Sequence, residues 1–367
     1  MALELPPLVD HHCHGILPGT PSPDGFESLL TESDAPAAPG TSFFDTQLGF
    51  AVRRWCPPLV GLEAHCPYEV YLARLGELGP DEAARRLLAG TGIGAFLVDT
   101  GLPGGLRGPG PLAGAPEREL VRLERLAERV AETAPDAGAY ADGVGEAVAA
   151  AARTAAGFKS VAAYRHGLDL DPAPPTDAEV RAAAARWLAE GAGRLTDPAL
   201  LRHLLWSAVR TGLPLQLHTG FGDPDLTLHR CDPLLLTDFV RATATAGTAL
   251  VLLHGYPYHR QAAYLAAVFP HVYADMGLAL SHTGARAEAV LAEMLELTPF
   301  GKLLFSTDAY GLAELYVVGA ALFRTALGRL LRRWVDEGAW AAADADRVAA
   351  LLAAGNARRV YRLSPDR

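Results

Sequence analysis

The chain is 367 residues long, half of them hydrophobic, and carries a formal net charge of -10 at pH 7. That length supports a large buried core, while the acidic balance argues against nucleic acid or an anionic membrane surface, both of which call for a basic footprint. Four cysteines with no CxxC spacing, an N-terminus without a basic-then-apolar leader, and no apolar run long enough to span a bilayer lead us to expect a reduced, cytoplasmic protein that works on a small molecule.

The first expected strand covers residues 8–12 and runs into Asp10-His11-His12-Cys13-His14. Residues 17–90 then break any regular rhythm. They are rich in Pro, Gly and Ser at first and carry helix-like runs at 43–55 and 69–78. We expect an insertion that acts as a lid over a substrate site, with a packing appendage as the plainer alternative. From residue 92 short apolar runs alternate with Ala-rich helical ones. Strands are expected at 93–99, 120–124, 158–162, 214–218, 249–254, 272–275 and 303–307, and helices at 136–156, 176–192, 197–211, 233–246, 258–269 and 283–297. Helical runs at 313–337 and 341–354 close the chain. Eight strands separated by helices predict parallel βαβ units. The expected fold class is therefore α/β, a (β/α)8 TIM barrel occupying the whole chain as one domain, with an inserted lid after the first strand and C-terminal helices. An open doubly wound sheet is the alternative, but Gly15-Ile16-Leu17-Pro18-Gly19 is not the Gly-rich phosphate turn such a sheet carries after its first strand.

The chemistry sits at the strand ends. Residues two apart on a strand face the same way, so His12 and His14 can share one cation, with Asp10 or a backbone carbonyl orienting them. A His-x-His alone is a weak signal. However, Leu215-Gln216-Leu217-His218 and Leu250-Val251-Leu252-Leu253-His254 also end apolar strands in histidine, and Leu303-Leu304-Phe305-Ser306-Thr307-Asp308 ends one in aspartate. Several imidazoles and one carboxylate at the catalytic end of a barrel have the composition of a metal site with an open coordination position. Asp99 and Glu124 end the second and third expected strands. Arg165 follows the fourth, where it could clamp a substrate carboxylate. For these three, a substrate contact and a structural ion pair are equally open readings. Lys159, one of two lysines against thirty arginines, lies on the apolar fourth strand. Cys13 points away from its histidine neighbours and reads as packing.

Asp10-His11-His12-Cys13-His14, His218, His254 and Asp308 resemble, in order and spacing, the amidohydrolase superfamily. Gly157-Phe158-Lys159-Ser160, Tyr164-Arg165, Leu253-His254-Gly255-Tyr256-Pro257, Phe305-Ser306-Thr307-Asp308-Ala309 and Asn356-Ala357-Arg358-Arg359-Val360-Tyr361 are similar to strings of its amidohydrolase 2 branch, FluG-like domains above all. The likeness is weakest across 17–90. It implies a metal-dependent hydrolase in which a metal-activated hydroxide cleaves an amide (C–N) bond, with a γ-glutamyl amide or isopeptide as the suggested substrate. His12 and His14 would hold the more buried ion, and Asp308 would approach it and accept the proton of the nucleophilic water. His218 and His254 would hold a second ion or complete a single site, and Lys159, if carboxylated, would bridge two. The ion would be divalent, zinc first and manganese or iron otherwise. Within the same branch the alternative is a metal-dependent, non-oxidative decarboxylase of an aromatic acid, which has no need of Lys159. Outside catalysis it is a binding barrel with a relict site, against which the complete set His12, His14, His218, His254 and Asp308 weighs. Homo-oligomerisation is left open.

Overall fold

The structure, a computed structural model, describes residues 5–364. Its strands are β1 (Leu8–Cys13), β2 (Ile93–Asp99), β3 (Glu117–Arg122), β4 (Gly157–Ser160), β5 (Leu215–Thr219), β6 (Leu250–His254), β7 (Val272–Asp275) and β8 (Leu303–Leu304). They belong to one eight-stranded sheet in the order β1-β2-β3-β4-β5-β6-β7-β8, with helices between them, the expected (β/α)8 barrel. No described helix is long and apolar enough to cross a membrane. The chain divides into two compact units: residues 1–98, 102–118 and 276–367, and residues 99–101 and 119–275.

In the first unit β1 pairs with β2 in parallel, Asp10 opposite Phe96 and Cys13 opposite Val98. Every residue of β1 is buried. The insertion has a core of its own around Phe26, Leu30, Leu48, Val52, Tyr71 and Leu87. Its helix Gln47–Trp55 starts four residues later than expected because Thr46 is the N-cap, its hydroxyl accepting the Gly49 N–H at 3.0 Å. Any side chain at Gly49 would collide with the Phe44 carbonyl, 2.2 Å from where a Cβ would sit. The helix Pro80–Ala89, not expected from the sequence, opens on a proline and packs, as Gln47–Trp55 does, against the long helix Ala313–Asp336. Tyr71 of the helix Tyr68–Leu78 donates its hydroxyl to the buried Glu314 carboxylate at 2.8 Å. Within this unit the insertion is therefore a packed layer bolted to Ala313–Asp336.

In the second unit β3 to β7 pair in parallel register, with Arg122 opposite Lys159, Lys159 opposite Gln216, and Thr219 opposite His254. β5 and β6 are buried along their whole length, as strands covered on both faces must be. The helix Asp177–Ala189 opens with a capping box between Thr176 and Glu179, and Pro198–Val209 with an Asp197 cap.

Three strands end short of the sequence expectation, β4 among them, which stops at Ser160 before the short helix Ala162–Arg165. β3 stops at Arg122, and Glu124 lies in the first turn of the helix Leu123–Ala131. Leu123, Leu126, Ala127 and Ala131 recur at helical spacing and are buried, so burying that face prevails over extending the strand. β8 pairs only at Leu303–Leu304. Beyond it the Phe305 carbonyl accepts the His11 N–H at 3.2 Å and Thr307 is drawn to Asp10, so the chain turns out of the ladder before Asp308.

Candidate metal centre

In the first unit, alternation along β1 sorts its side chains. His11 faces Tyr361 (Nδ1 to Oη 3.1 Å) and Cys13 donates its thiol to the Leu97 carbonyl at 3.5 Å. Burial pushes the Cys13 thiol well above its ordinary pKa, as suits a packing residue. Asp10, His12 and His14 take the other face. The His12 and His14 rings meet edge to face with centroids 5.2 Å apart. Asp308 Oδ1 lies 3.0 Å from His12 Nε2 and 3.5 Å from His14 Nε2. Asp308 has a left-handed backbone, φ +52°, costly for a residue with a Cβ. Its N–H donates to the His12 carbonyl at 3.0 Å, and the His14 N–H donates to the Ala309 carbonyl at 2.8 Å, which laces the turn to β1. Tyr316 of the helix Ala313–Asp336 donates its hydroxyl to the His14 carbonyl. Its phenol is likewise pushed well above its ordinary pKa by burial and keeps its proton.

These donors suit a divalent cation. Bonds of about 2.1 Å to one ion place neighbouring ligand atoms roughly 3.0–3.4 Å apart, close to the 3.0 and 3.5 Å that separate Asp308 Oδ1 from His12 Nε2 and His14 Nε2. His12 is fully buried and His14 nearly so, and imidazole with carboxylate is a borderline-soft donor set. His12, His14 and Asp308 would hold the ion on this side.

In the second unit the His218 and His254 rings stand 4.7 Å apart, and Tyr164 lies 4.5 Å from His218 by ring centroids. His254 is also left-handed, φ +67°. It donates its N–H to Asp275 Oδ1 at 2.8 Å, and the same oxygen is 3.9 Å from its Nδ1. Thr219 on β5 ties its hydroxyl to the Leu253 carbonyl at 2.7 Å. Lys159, 2% exposed, lies on β4 next to β5, which carries His218.

The three expected substrate contacts all have protein partners. Asp99 Oδ2 accepts Arg122 Nε at 3.0 Å and Nη2 at 2.6 Å, while Oδ1 accepts the Gly101 N–H at 2.9 Å. Glu124 Oε1 accepts the Ser160 hydroxyl at 2.7 Å and the Val161 N–H at 3.0 Å, just past Lys159. Burial raises the Glu124 pKa against the lowering effect of those hydrogen bonds. Its Oε2 is buried without a partner among the described residues. Arg165 donates through Nη1 to Glu128 at 2.8 Å.

Sequence reasoning passed over Asp275, Thr307 and Tyr164. Asp275 ends the apolar strand Val272-Tyr273-Ala274-Asp275, the same signal that singled out Asp308. Tyr164 and Thr307 lay inside the family-like strings Tyr164-Arg165 and Phe305-Ser306-Thr307-Asp308-Ala309 without being assigned a role.

The sequence model of the amidohydrolase family matches residues 103–363, most of the chain. The chain belongs to the amidohydrolase family. A candidate metal-dependent hydrolase from Lactobacillus casei ATCC 334 is 28% identical with a TM-score of 0.85, covering 98% of this chain and 96% of its own. That likeness covers nearly the whole chain, more than the residues the family model matches. The protein FluG of Emericella nidulans is 36% identical over 223 residues, 57% of this chain but only 26% of FluG, so the match spans about a quarter of that relative. A uronate isomerase from Bacillus halodurans C-125, 13% identical with a TM-score of 0.66 over 99% of this chain and 94% of its own, shares the fold alone. Within this member of the amidohydrolase family, His12, His14 and Asp308 form a donor set that suits a divalent metal.

Proposed function

We propose that this amidohydrolase cleaves an amide C–N bond, with γ-glutamyl amides or isopeptides as its substrate class and zinc as its ion, manganese and iron being the alternatives. The observation that carries the reading is the placement of the buried His12 and His14 nitrogens 3.0 and 3.5 Å from one oxygen of Asp308. In it, His12, His14, His218, His254 and Asp308 are metal ligands; Lys159 joins them, with two ions bound, if it is carboxylated, and a single ion is held if it is not. When bound, such an ion supplies Lewis acidity, which acidifies a water and polarises the scissile carbonyl.

The protein's residues supply the rest. Asp308 accepts at its carboxylate the proton that the attacking water loses as its oxygen bonds to the amide carbon, then hands that proton to the departing nitrogen as the C–N bond breaks. The amine leaves neutral and the acid product retains the new oxygen. His254, its backbone N–H held by Asp275, would act on the carbonyl oxygen through the ion it helps to hold. A carboxylated Lys159 contributes an anion where a bare ammonium would repel cations. Asp99, Glu124 and Arg165 serve the substrate's polar groups, and Glu124 Oε2 is the one of these with an acceptor to spare. The four unpaired cysteines favour a cytoplasmic setting.

The test is elemental analysis of the purified protein together with a panel of γ-glutamyl amides and aromatic acids. Bound metal with amine release supports the reading. CO2 release from the aromatic acids, with a single ion per chain, would replace it by the decarboxylase alternative.

A further inference from the structure

Asp308 adopts a backbone that a residue with a Cβ avoids, so something must hold it there. The residue before it is gripped from two sides. Thr307 donates its N–H to Asp10 Oδ1 at 3.0 Å and its hydroxyl to Asp10 Oδ2 at 2.5 Å. The same hydroxyl oxygen accepts the Ala309 N–H at 3.1 Å, so the three residues of the turn share one knot. From the other side the helix Ala313–Asp336 lies flush against Thr307: a Cβ added to Gly319 would come within 2.9 Å of its Cγ2. Asp10 is wholly buried and lies on the same strand and face as His12 and His14. Its two oxygens match an amide and a hydroxyl on one residue, a pairing that threonine or serine completes and valine does not.

We infer that Asp10 is a positioning residue: through Thr307 it sets the backbone of Asp308, and so the place of the Asp308 carboxylate beside His12 and His14. One strand then carries both imidazoles and the acid that aligns the third donor. The spacing of all three is fixed by the protein before any ion arrives, and a preorganised donor set loses less on binding. Asp10 itself touches neither ion nor substrate in this scheme. The inference rests on Asp308 being a metal ligand in the proposed function and is independent of which amide is cleaved.

The experiment reads Co2+ alone. The metal-free protein and its Thr307→Ser, Thr307→Val, Asp10→Asn and Gly319→Ala variants are titrated with Co2+ against a chelating dye, and the visible absorption of each complex is recorded. Thr307→Ser keeps both hydrogen bonds and should match the wild type in affinity and spectrum. Thr307→Val keeps the shape, loses the hydroxyl, and should bind Co2+ about tenfold more weakly or worse, with a shifted spectrum, the usual effect of losing a ligand's support. Asp10→Asn should fall between, since its amide oxygen still accepts the Thr307 N–H. Gly319→Ala removes no polar group and improves helix propensity, yet pushes on Thr307, so it should move in the same direction as Thr307→Val. If Thr307→Val fails to fold by circular dichroism, Gly319→Ala decides. Wild-type affinity and spectrum in both Thr307→Val and Gly319→Ala would overturn the inference, as would Thr307→Ser failing as badly as Thr307→Val. A wild type that takes up no Co2+ sinks both this inference and the metal reading beneath it. The expected Co2+ pattern with no amide cleaved leaves the inference standing and removes only the substrate.

Discussion

Replacing Asp275 separates two things a buried carboxylate can do for His254. Its Oδ1 accepts the His254 N–H at 2.8 Å and stands 3.9 Å from Nδ1 of the same residue, with both side chains essentially excluded from solvent. Asp275→Ala strands a buried N–H on a residue at φ +67°. An unmet buried donor costs about 1–3 kcal/mol, so the loss should fall in that range before any cavity cost is added. Asp275→Asn retains an acceptor of equal reach and should cost about 1 kcal/mol or less. It removes the negative charge facing the imidazole, however, so turnover or metal affinity should fall about tenfold even though the fold survives. The assay is urea unfolding of the metal-free protein followed by circular dichroism, with chelator present so that metal loss does not enter, alongside Co2+ titration of each variant. If Asp275→Ala unfolds at the wild-type midpoint, or if Asn and Ala are equally damaging in both measurements, the carboxylate does not hold His254 in the way its geometry indicates.

Asp308→Asn should abolish amide hydrolysis while leaving most of the metal bound; turnover within a few-fold of wild type would remove Asp308 from proton transfer. Lys159→Ala should lower the metal content measured by elemental analysis, with activity partly restored by short carboxylic acids or bicarbonate. An unchanged stoichiometry would indicate a single ion and an unmodified lysine. Glu314 is buried against Tyr71, and burial raises its carboxyl pKa, so the folded state binds its proton more tightly than the unfolded state does. Stability from this group is therefore present at acid pH and is lost as pH rises from the ordinary glutamate pKa through the raised one. Glu314→Gln, which keeps an acceptor for Tyr71, should stabilise the protein against urea at pH 8 and gain little at pH 4; equal gains at both would contradict the assignment.

The strands that could be read from the sequence were those whose burial is two-sided and continuous. β6 and β7 are five- and four-residue strands, apolar until His254 and Asp275 close them, and a parallel sheet leaves such runs no other role. The misplaced ends of β3 and β4 lie where strand gives way to helix without a breaker. Leu123-Glu124-Arg125-Leu126 has no proline or glycine to mark the change, and only the burial of Leu123, Leu126 and Ala127 together makes it helical. The ion pair of Asp99 with Arg122 was equally hidden. It joins the ends of two strands 23 positions apart, and nothing in local spacing selects Arg122 over any other of the thirty arginines.

The supports of the proposed metal ligands were harder to read still, and for one physical reason. Near a strand's end the regular ladder gives out, so the backbone of a residue placed there must find other partners. Asp308 and His254 both do so in the left-handed region, where glycine is the usual occupant, and each stands beside a buried aspartate. Asp10 reaches Asp308 through Thr307, at a separation of 297 positions between Asp10 and Thr307, whereas Asp275 reaches His254 directly across 21. In both cases the acid accepts a backbone N–H, a group identical in every residue but proline, and so invisible in side-chain chemistry. The proposed ligands stand out through the rarity of histidine at strand ends. Asp10, on one strand with the histidine pair, could be read as orienting it, but its reach to Thr307, and that of Asp275 to His254, appears only once the chain is folded.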